Sequence, residues 1–99
     1  MPYINPELRE QVDKEIDMLA AEILQASVVE YGDNLFIAGN RAGVMNYVIT
    51  RLIRKLYGVK YSEINEIVGV LDCVKMEHYR HIAGPYEDEK IKQNGDVEA

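Results

Sequence analysis

Cysteine, tryptophan and long apolar runs are what this chain has least of. Cys73 is its one cysteine, so no disulfide can brace the fold from within the chain. A single thiol inside an apolar run, "VGVLDCV", reads as a small buried hydrophobe rather than a nucleophile. Trp is absent and Phe occurs once, which leaves any core to Ile, Leu, Val, Met and Tyr. No apolar stretch approaches the ~20 residues that cross a bilayer. The start, "MPYINPELRE", has neither the basic opening nor the apolar stretch of a secretion signal, so a cytoplasmic location and no membrane partner are expected. Catalytic signatures are missing as well. There is no HExxH, no cysteine pair and no Ser/His/Asp or Cys/His arrangement, and "GNRAG" fits neither the GxGxxG nor the GxxxxGK phosphate pattern. No enzyme activity, cofactor or metal is expected.

What is present fits one small domain. Ninety-nine residues leave no room for a second core, and a hydrophobic share of 47% is too high for a disordered chain. A domain this small, with no disulfide, needs a metal or self-association to bury enough surface, and a homo-oligomer is expected. The net charge of −6 argues against broad nucleic-acid binding. That charge is uneven. Residues 41–60 hold Arg41, Arg51, Arg54, Lys55 and Lys60 with no acid, between two segments in which acids prevail.

The periodicity predicts a mainly α fold: a three-helix bundle with a small β-hairpin or extended loop between helices 1 and 2. Helix 1 is expected at about 6–27, with Asn5 as cap, Pro6 at the first helical position, and Leu8, Val12, Ile16, Leu19 and Ile23 as its apolar stripe. In 28–39, Val28, Val29 and Tyr31 favour a strand, Gly32-Asp33-Asn34 is a turn signal, and Leu35-Phe36-Ile37 is a second short run. Helix 2, about 41–57, has Asn40 as cap and Met45, Val48, Ile49, Leu52 and Leu56 facing inward. Helix 3, about 62–83, is capped by Ser62 and carries Ile64, Ile67, Leu71, Val74 and His78, with Gly84-Pro85 as its stop. Val68, Val70 and Cys73 widen that apolar face, so helix 3 reads as central or shared with another subunit. Gly43 and Gly69 are places where another helix would approach closely. Residues 85–99 form a tail.

Three chemical readings compete. His78 and His81 stand three apart beside Glu77, a spacing compatible with metal, but a set of four ligands is lacking. Glu63, Glu66, Glu77 and His78 could serve a small metal-dependent nucleotide hydrolase, although its second acidic pair is missing, because Arg80 stands where an acid would be needed. The reading with the most residues behind it is anion binding. Arg51, Arg54 and Lys55, with Arg41 near a helix N-terminus, would hold phosphates, and Tyr47 and Tyr79, with Arg80, would flank the ligand. The plain alternative is that these bases only balance acidic neighbours.

"MNYVITRLI" followed by "YSEINEIVGVLDCVKMEHYRHIAGPYEDEKIKQNGDV" resembles a family of short proteins of unknown function met in tailed bacteriophages and prophages. Its pattern runs LNYxIT, INxxIGxLxCxKxExYRR and a closing PYEDxKxxxNGDV. The likeness covers roughly residues 44–97 and departs at "SVVEYGDNLFIAGNRAG" and at His81, where the pattern has a second Arg. It implies no activity. A Tyr after Gly-Pro and an Asn-Gly at a set distance do imply that Tyr86 to about Lys92 is ordered, with Glu87, Asp88 and Glu89 meeting Arg51, Arg54 or Lys55 in the same chain or a neighbour's. By analogy with small phage proteins, the expected role is non-enzymatic binding of an anionic nucleotide-like ligand at a basic subunit interface, in a counter-defence setting. Its rival is an acidic inhibitor docking on a host protein.

Overall fold

The computed structural model describes residues 2–31, 34–37 and 40–98, with 29–31 and 34–37 described through their backbone alone. The chain is mainly helical, in three helical runs. The first, α1, spans Pro6–Ser27. It starts where cap chemistry dictates: the Asn5 side chain accepts a bond from the Leu8 N–H at 3.0 Å, and Pro6 supplies a preset φ without wasting an N–H. At its end the Ser27 hydroxyl donates to the Ile23 carbonyl at 2.6 Å. Val28–Tyr31 (β1) and Asn34–Ile37 (β2) then pair antiparallel, Val28 opposite Ile37 and Tyr31 opposite Asn34. Gly32 and Asp33, on which the expected turn rests, lie outside the described residues.

The second run, α2, is Arg41–Leu56. Asn40 holds the cap position without a side-chain bond, and extended backbone at Tyr57 closes the helix. The third run begins at Tyr61, one residue before the expected Ser62 cap. Lys60 stands at the N-cap, so Ser62 lies inside the first turn and does not cap. This α3 spans Tyr61–His78, continues as one π-helical turn at Tyr79–Ala83, and goes on as α4 from Gly84 to Asn94.

Gly84-Pro85 is therefore not a stop. A proline inside an α-helix removes one N–H and drives its ring into the carbonyl four residues back. Here the Gly84 N–H reaches the Tyr79 carbonyl, five residues back. The wider turn relieves the clash and lets the helix run through, at the usual cost of a bend. The expected tail is helix as far as Asn94. Gly95, at φ 84°, takes a backbone conformation open to glycine and ends α4.

The chain divides into two units, Tyr3–Gly58 and Val59–Ala99 with Met1–Pro2. In the first, α1 lies against α2. Ser27 is buried, and Ile23, Val28, Val44, Val48, Ile53 and Tyr57 are half-buried. In the second, α3, the π turn and α4 form the one helical run. Neither unit has a core of its own: among the described residues no hydrophobic side chain is buried. Even stripe residues such as Ile16 and Val74 keep 54% and 60% of their surface. The chain exposes 8955 Å².

Candidate functional site

Helix α2 gathers part of the expected anion site. Tyr47, Arg51 and Lys55 follow one another at four-residue steps, and Arg54 stands seven beyond Tyr47, so all four share one face. All are exposed, Tyr47 at 66%. Among the described residues none of Arg41, Arg51, Arg54 and Lys55 is in an ion pair. Arg54 and Lys55 occupy the last turn of α2, where a cation also complements the negative end of the helix.

Arg41 does not join this face at close range. It is the first residue of α2, ten residues before Arg51, or about 15 Å along the axis. Tyr79 and Arg80 belong to the other unit, on the π turn. The seven expected ligand residues are thus a group of four on α2, one at its N-terminus, and two on the bent helix.

The π turn has its own polar cluster. The Tyr79 hydroxyl donates to Glu87 Oε2 at 2.8 Å across the bend. That bond to a carboxylate, with the negative charge of Glu87 beside it, raises the Tyr79 pKa above its ordinary value of 10. Glu77 Oε2 lies 3.3 Å from His81 Nε2, and Arg80 Nη2 lies 3.0 Å from the same nitrogen. Lys92 pairs with Glu89 at 3.3 Å. The tail acids Glu87 and Glu89 are thus engaged within their own helical run.

The hydrolase and metal readings find no assembled site. Among the described residues no three His, Cys, Asp or Glu side chains gather to hold a metal ion, and Glu77 is turned to His81. Cys73 is exposed, not buried; the apolar run around it has nothing of its own unit to cover it. Beyond their own helix backbone and chain neighbours, Gly43 and Gly69 have no atom of the described residues within 4 Å of where a Cβ would stand.

Sequence reasoning missed a groove on the bent helix. Cys73, Met76, Tyr79, Arg80, Gly84, Pro85 and Asp88 line about 720 Å³ of open space on one side of it. A second groove on the same run has Val70, Val74, His78 and Ile82 along it. The signal was available in the four-residue spacing of Val70, Val74, His78 and Ile82, which places them on one helix face. No described helix is long and apolar enough to cross a membrane.

Fold and site together define a small, mainly helical chain in which no hydrophobic side chain is buried among the described residues. The chain belongs to a family described as a domain of unknown function (DUF6899), which matches residues 1–97. No curated protein and no solved structure matches it.

Proposed function

We propose that this protein is a non-enzymatic binding protein that works as a homo-oligomer, with an anionic, phosphate-bearing ligand taken on the basic face of α2. The observation that carries the reading is the absence of any buried hydrophobic side chain among the described residues. Burial of apolar area is the main favourable term in folding, worth about 25 cal/mol per Å². A chain with three striped helical runs and no core gains that term when further copies cover the stripes. In the assembled protein the helices would complete the bundle that their periodicity calls for.

The ligand assignment rests on Tyr47, Arg51, Arg54 and Lys55, four exposed groups on one helix face, three of them cations with no ion-pair partner among the described residues. Arginine forks and a lysine beside a tyrosine ring match a phosphate joined to a flat base. A phage-type, counter-defence setting inside a bacterial cell is supported by the resemblance of the segment from Met45 onward to phage and prophage proteins, and by that alone.

Light scattering on the eluting protein tests the assembly: a mass of two or more chains is expected, and a monomer at all concentrations overturns it. Calorimetry against a panel of cyclic and linear nucleotides tests the ligand. Binding should be lost in Arg51→Glu/Arg54→Glu while the mass stays unchanged. Nucleotide binding that survives this double substitution removes α2 from the site.

A further inference from the structure

We infer that Asn94-Gly95, at the C-terminal end of α4, is a site of self-modification, where the Gly95 backbone nitrogen attacks the Asn94 side chain and expels its amide as ammonia. The reaction needs neither ligand nor partner, so it stands apart from the readings above.

Reach comes first. The Gly95 nitrogen and the Asn94 Cγ are joined through the Asn94 main chain and Cβ, so their union closes a five-membered ring. Groups held this close within one chain react at a high effective concentration. Of the asparagines, Asn94 alone precedes a glycine. Asn5 precedes Pro6, whose nitrogen has no proton to lose. Asn34, Asn40, Asn46 and Asn65 precede residues whose side chains crowd the attack. Gly95 has no Cβ, and beyond its chain neighbours no atom of the described residues lies within 4 Å of where one would stand. Asn94 and Gly95 are exposed and border about 430 Å³ of open space, so water and hydroxide have access.

The helix end sets the rate. Asn94 is the last residue of α4, and Gly95 has already left the helix at φ 84° and ψ 154°. The Gly95 N–H donates to the Ile91 carbonyl at 2.7 Å, and while that bond stands the nitrogen keeps its proton. The bond closes α4 at an exposed end, and fraying ends open at a cost near zero. Its opening frees the nucleophile without unfolding the rest of the helix.

In the opened state hydroxide takes the Gly95 amide proton and the nitrogen attacks Asn94 Cγ. The N–Cγ bond forms, the Cγ–Nδ2 bond breaks, and Nδ2 leaves as ammonia with a proton from water. Water then opens the cyclic imide. Cleavage at Cγ gives aspartate, and cleavage at the main-chain carbonyl gives isoaspartate, whose chain runs through Cβ and Cγ. No atom is oxidised or reduced. Either product places a new negative charge at the negative end of α4, next to Asp96, which weakens the last turn. The extra main-chain carbon of isoaspartate also carries the Gly95 N–H away from the Ile91 carbonyl.

Held at mildly alkaline pH, the protein should lose the Asn94 amide, read by peptide mass spectrometry, while Asn46 and Asn65 keep theirs. Isoaspartate should accompany aspartate, detected with a protein isoaspartate methyltransferase, and the rate should rise in proportion to hydroxide. Concentrated urea should speed the loss by no more than about tenfold, since a fraying end opens at little cost. Asn94→Gln should abolish the reaction and Gly95→Ala should slow it severalfold. An Asn94 that converts in urea but outlasts Asn46 in the folded protein shows that α4 shields the site, and overturns it. Aspartate formed without isoaspartate, at a rate that Gly95→Ala leaves unchanged, means direct hydrolysis and overturns the attack by Gly95.

Discussion

At the scale of single residues, two contacts carry measurable consequences. Asn5 caps the open N-terminus of α1, its Oδ1 accepting from the Leu8 N–H. Asn5→Ala leaves that donor to water and should cost about 0.5–2 kcal/mol, read as a lower midpoint in denaturant. Tyr79 titrates against the carboxylate it is bonded to. Its folded pKa lies above the unfolded value near 10, so the stability this group contributes is fully present below pH 10. It is lost as pH rises through the folded value. The phenolate absorbance of the protein minus that of Tyr79→Phe should therefore rise with a midpoint above 10. Glu87→Gln, which removes the charge but keeps an acceptor, should bring it back toward 10. A difference curve with its midpoint at or below 10 would show that the bond across the bend is not made in solution. The same residue scale explains what was legible beforehand. The start at Asn5-Pro6 could be read because a cap is satisfied by neighbours three residues away. The exposure of Cys73 could not, because burial depends on which elements come to lie over a residue, and an apolar neighbourhood in sequence does not supply them.

Among the elements, the bent helix is the one whose sequence and structure diverge, and the reason is local. Gly-Pro is ordinarily read as a stop because an α-helical turn has no room for the ring of Pro85 against the carbonyl of His81. A π turn has that room. Its cost is one residue of slip; Val70, Val74, His78 and Ile82 follow one another at ordinary four-residue helical steps up to that turn. Pro85→Ala removes the reason for the wide turn. Helicity by circular dichroism should hold or rise, because Ala is favoured over Pro by about 3 kcal/mol in a helix interior. The face beyond residue 83 should rotate by about one residue, or 100°, and self-association should weaken. Higher helicity with unchanged assembly would mean that the bend has no part in the contact. The helical runs themselves were legible, since a three-four spacing of Leu8, Val12, Ile16, Leu19 and Ile23 admits little else. Period alone does not distinguish a proline that ends a helix from one that bends it.

For the whole molecule, the three stripes were read as apolar and inward, and within the first unit α1 lies against α2 with Ile23 and Val48 half-buried. An amphipathic face states that something must cover it, and nothing in one copy of the sequence says whether the cover is the same chain. With no hydrophobic side chain buried among the described residues, the folded state of a lone copy has little to set against a conformational cost of about 1–2 kcal/mol per ordered residue. Folding and association should then be one transition, and its midpoint should depend on how much protein is present. Over a hundredfold dilution, the thermal midpoint followed by far-ultraviolet dichroism should fall steadily, and the transition should remain a single step. A phosphate-bearing ligand held by Arg51, Arg54 and Lys55 adds a separate, saturable rise in the midpoint, by the logarithm of its concentration over its dissociation constant. That rise should vanish in Arg51→Glu/Arg54→Glu without altering the dependence on protein concentration. If the midpoint is instead independent of dilution, a single copy buries enough on its own, and the exposed stripes of α1, α2 and the bent helix are covered without a partner.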